Sequence, residues 1–224
     1  MSVNVAAFRR GRVRTPEAVR GGGRLAARLA RLYLGLGGFG VSLALMVRAR
    51  LGLDPWDVLH QGIARHLGVQ LGWVTIGVSG LVLLAWIPLR QRPGLGTVSN
   101  AIMVGLVVNG ALDVLPASGS LAWRAVWLAA GIGLNGLATA CYIGAGLGPG
   151  PRDGLMTGIA ARGNSLRAVR TLIELSVLAI GFALGGTVGI GTAAYALSIG
   201  PLTHMLLPRL TVKTATRQDK DTQS

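Results

Sequence analysis

Charged residues are scarce in this chain. They make up 13% of its 224 residues, and only 8 are acidic; soluble domains average about 25% charged. With 51% apolar residues and a mean hydropathy of +0.55, this composition excludes intrinsic disorder over most of the chain and argues against a soluble enzyme. Cysteine is nearly absent. The single Cys141 lies inside an apolar run, so no intrachain disulfide can form and the residue reads as a small buried apolar group. His60, His66 and His204 have no metal-ligand spacing, and no HExxH, paired CxxC or nucleophile–His–acid set occurs. Zinc, haem and hydrolase chemistry find no support, no metal or cofactor is expected, and the chain is read as non-enzymatic.

What is present is basic charge, +14 in all. On a soluble domain that would suggest nucleic acid. Its placement says otherwise. Residues 1–31 hold eight arginines and Glu17, residues 209–224 hold four basic and two acidic groups, and residues 32–208 hold ten basic and five acidic ones. No folded basic face results, so no nucleic-acid partner is expected. The 1–31 segment reads as a disordered cytoplasmic tail held near anionic lipid, and 209–224 as a polar cytoplasmic tail.

Between the tails, residues 66–89, 125–151 and 175–208 contain no Asp, Glu, Lys or Arg. The last run would be about 51 Å long as one helix, against about 30 Å of bilayer core, so it must turn, most simply at Gly185-Gly186. The sequence predicts an all-α polytopic membrane bundle over 32–208, with six spans near 30–48, 70–89, 95–115, 122–145, 167–185 and 188–208. Basic residues orient it: with both termini cytoplasmic, only Arg48, Arg50, Arg65 and Arg124 fall outside. The lipid bilayer is the expected partner; a protein partner or homo-oligomer is left open.

The chain also repeats itself. LGLDPWDVLHQGIA at 51–64 matches LGPGPRDGLMTGIA at 147–160 with an offset of 96, aligning Pro55 with Pro151 and Asp57 with Asp153. Arg28 pairs with Arg124, and Gly35, Gly37 and Gly40 pair with Gly131, Gly133 and Gly136. After a one-residue slip, GLGT at 94–97 matches GIGT at 189–192. Repeat 1 covers about 32–116 and repeat 2 about 121–208. Three spans per unit would place the second unit upside down relative to the first, the inverted repeat found in secondary transporters. Each unit adds a short amphipathic segment, 55–67 and 151–162, too short to span and either interfacial or re-entrant. Both glycine sets fit GxGxxG, but they lie in membrane spans without a preceding strand. Gly37, Gly40, Gly133 and Gly136 are therefore read as helix-packing positions where the first and fourth spans cross.

Asp57 and Asp153 each stand two positions after a proline. One reading is helix capping, with Asp54 or Gly150 as N-cap, Pro55 or Pro151 at the first helical position, and the aspartate at the third. The other makes them pathway groups for a cation, proton or small solute, together with His60, Gln61 and Thr157 on the same polar faces. Glu174 is a pathway candidate or the ion-pair partner of Arg170, one turn earlier. Asn100, Asn109 and Asn135 read as interhelical glue.

At GLDPWDVLHQGIA (52–64), RPGLGTVSNAIMVG (92–105), GLGPGPRDGLMTGIA (146–160) and GGTVGIGTAAYALSIGP (185–201) the chain resembles the YczE/YyaS/YitT-type bacterial membrane proteins, the YczE type most closely. The resemblance covers nearly all of 33–208. It implies a multi-pass bacterial inner-membrane protein and brings no catalytic residues. Asp54 stands where the family phrase has Gly, so the first segment carries an acid that the second, with Gly150, lacks. The leading function is a transporter-like permease for a small solute or ion; the alternative is a non-transporting membrane partner supporting another complex.

Overall fold

The computed structural model describes residues 22–117 and 119–210. Among them are eight helices: α1 (Gly22–Ala49), α2 (Pro55–Leu67), α3 (Leu71–Ala85), α4 (Leu95–Val114), α5 (Leu121–Gly144), α6 (Pro151–Ala160), α7 (Leu166–Ala183) and α8 (Ile190–Leu210). The all-helical expectation holds, and large apolar side chains such as Leu34, Leu81, Leu172, Phe182 and Leu197 face outward, as lipid requires.

Four helices, α1, α4, α5 and α8, are long and apolar enough to cross a membrane. A fifth crossing exists if α2 and α3, bent by 117° at their junction, count as one. The six expected spans match α1, α3, α4, α5, α7 and α8 in position, yet two fall short as independent crossings. α3 has 15 residues, about 22 Å of helix. α7 carries Arg167, Arg170 and Glu174 within its 18 residues. α6 ends at Ala160, two residues earlier than expected.

α1 starts well before residue 30, inside the segment read as a tail. Arginines there find acceptors: Arg28 donates from Nε to Ala145 O (2.8 Å) and from Nη2 to Gly146 O (2.8 Å), and Arg31 donates to Leu210 O (3.1 Å). The Ala145 and Gly146 carbonyls lie just past the end of α5, where helix carbonyls lack intrahelical partners, and Leu210 is the last described residue of α8. The rest of the basic tail, 1–21, and the polar tail beyond 210 lie outside the described residues.

Contacts recur at the repeat offset. As Arg28 grips the end of α5, Arg124 grips the end of α1, donating to Ala49 O and Arg50 O at 2.7 Å each. Gly191 N donates to Leu51 O (2.8 Å), and Gly96 N donates to Leu147 O (2.9 Å). Gly52 and Gly148 have φ of 121° and 127°, a region that side chains rarely enter. There the chain passes so close to Thr192 and Thr97 that an added Cβ would lie 2.7 Å and 2.8 Å from their Oγ1 atoms.

α1 and α5 run antiparallel and form the most extensive helix pair, with α4 packed on α1 and α8 on α5. Their glycines do only part of what the sequence suggests. A Cβ on Gly35 would lie 2.8 Å from Tyr142 N, one on Gly131 2.7 Å from Met46 Cγ, one on Gly40 2.7 Å from Val107 Cβ, and one on Gly136 3.0 Å from Leu202 Cβ. Gly37 and Gly133 face open space. Two residues along a helix is about 200° around it, so these positions leave the seam that Gly35 and Gly131 occupy.

The short helices dock across the units. α2 packs on α7, where Gly62 and Gly181 let backbones approach, and α6 packs on α3 and α7. Arg65 donates to Gly185 O and to Thr187 Oγ1 (3.1 Å), while Arg162 donates to Pro88 O. α7 and α8, by contrast, are not a packed pair, although their counterparts α3 and α4 are.

Candidate functional site

Local chemistry builds the two short helices as expected at their starts. Pro55 opens α2, and Asp54 caps it: its Oδ1 accepts from Asp57 N at 2.8 Å. Pro151 opens α6, where the cap is Gly150 and no side chain replaces Asp54. Asp57 and Asp153 sit in the first turns, but the side-chain bonds they make are not to amides. Asp153 Oδ2 accepts from the Tyr142 hydroxyl at 3.1 Å. Asp57 lies in an ion-pair cluster.

That cluster is the centre of the site. Arg152 of α6 reaches α2 and donates from Nη2 to Asp57 Oδ1 (2.8 Å) and from Nη1 to Asp54 Oδ2 (3.2 Å). His60 Nδ1 stands 3.3 Å from the same Asp57 oxygen and 3.4 Å from Thr75 Oγ1 on α3. The guanidinium also lies over the Trp56 ring, 5.4 Å from its centroid, a cation–π contact. Asp57 and His60 are 0% and 1% exposed; the Arg152 side chain is 21% exposed. Apolar contacts cannot compensate two carboxylates at this depth, so the arginine is what makes their burial tolerable.

Arg152 leads into a cavity of ≈ 350 Å³. All eight helices line it, through Phe39, Trp56, Thr75, Asn100, Tyr142, Arg152, Glu174 and Tyr195 among others, and the N-termini of α2 and α6 both open onto it. Its wall includes Asp54, Asp153 and the Arg170–Glu174 pair (2.8 Å). Glu174 thus holds both roles open to it, ion-pair partner and cavity wall. It also lines a second hollow of ≈ 360 Å³ in the gap between α7 and α8. Tyr195 is anchored by Asn135, whose Oδ1 accepts its hydroxyl (3.1 Å) and whose Nδ2 donates to Ser42 Oγ (2.9 Å). Asn109 Oδ1 accepts from Gly72 N (2.7 Å), so these two asparagines do bond between helices.

The structure therefore gathers Asp54, Asp57 and His60 into the cluster and places Asp153 and Glu174 on the cavity wall. Gln61 stands apart: its Oε1 accepts from Thr187 N (2.7 Å), tying α2 to the α7–α8 turn. Thr157 donates back to Asp153 O (2.9 Å) within α6. Sequence reading missed Arg152, Tyr142 and Tyr195. A signal for Arg152 existed, since it occupies the position equivalent to Trp56 in the other repeat. The extra acid at 54 and the extra base at 152 are the two charge differences between the matched stretches 51–64 and 147–160, and they face each other. Among the described residues, no three His, Cys, Asp or Glu side chains are arranged to hold a metal ion.

Comparison with known proteins finds relatives of this chain. The chain is 41% identical over 177 residues to an uncharacterized protein of Haemophilus influenzae, covering 79% of this chain and 81% of that one. It is 32% identical over 173 residues to the uncharacterized membrane protein YczE of Bacillus subtilis, covering 76% and 80%. It is 28% identical over 186 residues to the uncharacterized protein YyaS of the same organism, covering 79% and 92%. No solved structure matches significantly. The YczE/YyaS resemblance carried by the motifs holds, and with its apolar helices the chain is a membrane protein. Residues 26–208 match the family of unknown function DUF6198, and the chain belongs to that family.

Proposed function

We propose that this protein is a non-enzymatic, transporter-like permease for a small solute or ion in the bacterial inner membrane. It would be built as six spans in two inverted three-span repeats, each with a short re-entrant helix. The observation that carries this reading is the cavity: lined by all eight helices, faced by both short-helix N-termini, and walled by charged side chains. Its volume suits a small solute. The antiparallel crossing of the equivalent helices α1 and α5, with matched arginine bonds at their ends, supports the inverted arrangement. The gap between α7 and α8, with Glu174 bordering it, offers a route to the cavity.

In this arrangement both termini are cytoplasmic and the arginine-rich tail lies on anionic lipid. Reporter fusions after residues 118 and 186 should read external, and a cytoplasmic signal at either defeats the inverted repeat. For the activity, detergent-solubilised protein is screened against small solutes for a rise in melting temperature. Asp153→Asn and Glu174→Gln should raise the solute concentration needed for that rise at least about tenfold while leaving the solute-free melting temperature near wild type. A fall in melting temperature with unchanged solute response assigns both residues to structure. If no solute stabilises the protein and one specific membrane protein co-purifies instead, the accessory-protein reading replaces the permease.

A further inference from the structure

The cluster around Arg152 is not balanced in charge. Two carboxylates, Asp54 and Asp57, face one guanidinium, so with both acids ionised and His60 neutral it would hold a net −1 in the interior of the bundle. Two of its buried basic atoms, Asp57 Oδ2 and His60 Nε2, have no hydrogen-bond partner. An uncompensated buried charge and an unbonded buried acceptor are both costly, and here they coincide within one helical turn.

We propose that the Asp57–His60 pair binds one proton, and that this proton sets how firmly Arg152 ties α6 to α2. The site suits a proton better than a metal ion. Arg152 Nη2 already occupies the Asp57 Oδ1 side at 2.8 Å, and among the described residues no three His, Cys, Asp or Glu side chains are arranged to hold a metal ion. With Nδ1 turned to Asp57 at 3.3 Å, His60 has Nε2 left to accept the proton. The imidazolium brings the cluster to neutrality.

It also places a cation 3.5 Å from Arg152 Nη2. Asp57 is then shared between two positive groups, and Arg152 is freed toward Asp54 and the cavity it lines. Because one guanidinium serves both the proton site and the cavity wall, proton and solute binding become linked. The other groups facing the pair are Thr75 from α3 and Arg152 from α6. Asp153, the Arg170–Glu174 pair, Tyr142 and Tyr195 lie around the same cavity. α7 meets α2 at Gly181, beside Val58 and Leu59, and its titratable groups are Arg167, Arg170 and Glu174. The proton site stands on its own geometry; only its coupling to a solute rests on the permease reading.

The test uses the full chain in detergent. The chain has three histidines, so His66→Gln with His204→Gln leaves His60 as the only one, without altering the cluster. Nitrogen-15 resonances of labelled histidine and the infrared band of protonated carboxyl groups are followed against pH. One titration step, seen on the His60 ring or as a carboxyl band lost in Asp57→Asn, is expected. Asp57→Asn should move the His60 midpoint down by about one pH unit or more, since it removes the neighbouring negative charge. If Asp57→Asn does not fold, the two-histidine variant alone decides. A His60 ring that keeps one form throughout the folded pH range, with no protonated carboxyl band from Asp57, overturns the proposal. A titration that occurs but ignores every stabilising solute keeps the proton site and removes the coupling. Solute binding without any titration keeps the permease and removes the proton site.

Discussion

Arg152→Gln should destabilise the protein by about 3–5 kcal/mol, the range found when one partner of a buried ion pair is removed. The loss is large because two acids are stranded together. Asp57 keeps only His60 near it, and Asp54 keeps only the α2 amide that it caps. Arg152→Lys should fall between wild type and Gln. An ammonium preserves the charge but cannot send separate N–H groups to two carboxylates while stacking on Trp56. The decisive comparison adds Asp54→Asn and Asp57→Asn to Arg152→Gln. With no charge left to strand, that triple variant should recover most of the lost melting temperature in detergent. An Arg152→Gln protein that melts with wild type would show that the cluster holds nothing together.

The second large effect is expected at Gly181. A Cβ there would lie 2.4 Å from Leu59 N, 2.6 Å from Leu59 Cα and 2.7 Å from Val58 C, all backbone of α2 and unable to swing aside. Gly181→Ala should therefore push α2 off α7 at a cost in the upper part of the about 1–3 kcal/mol typical of overpacking. Because α2 carries Asp57 and His60, the Arg152 bonds would lengthen with it. Gly37→Ala and Gly133→Ala are the matched controls. Both positions are helical and open, so alanine there should leave the melting temperature unchanged or slightly higher. Equal losses at all three positions would mean that glycine serves these helices in some way other than close approach.

Much of this architecture is legible in the sequence because it is local or repeated. Pro55 after Asp54 fixes the start of α2, and the 96-residue echo locates α6. Of the two glycine sets, only Gly35 and Gly131 lie between α1 and α5; Gly40 packs on α4, Gly136 on α8, and Gly37 and Gly133 face open space. What is not legible depends on three-dimensional closure. The bond between Asp54 and Arg152 joins residues 98 apart in sequence, and nothing periodic connects them. Spacing also suggests that each short helix belongs with its own unit, whereas α2 lies on α7. The arginines at 48, 65 and 124 look like an exception to charge asymmetry across the membrane. In the structure each donates to backbone carbonyls at a helix end or turn, which no count of charges foretells. Glu174 pairs with Arg170, as its spacing suggests, and its place on the cavity wall is set by packing that spacing does not reveal.

The docking of α2 on the second unit has a consequence for synthesis. Gly62 of α2 meets Gly181 of α7, a residue made about 120 positions later. At a translation rate of about 5–20 residues per second, α2 waits roughly 6–24 s for the surface it packs on. For most of that interval Asp54 and Asp57 have been made and Arg152 has not. The first half of the chain must therefore keep two acids wet or protonated at the membrane until the second half arrives. Neither half can finish its own packing, so the two are bound into one folding unit however clearly they are duplicates.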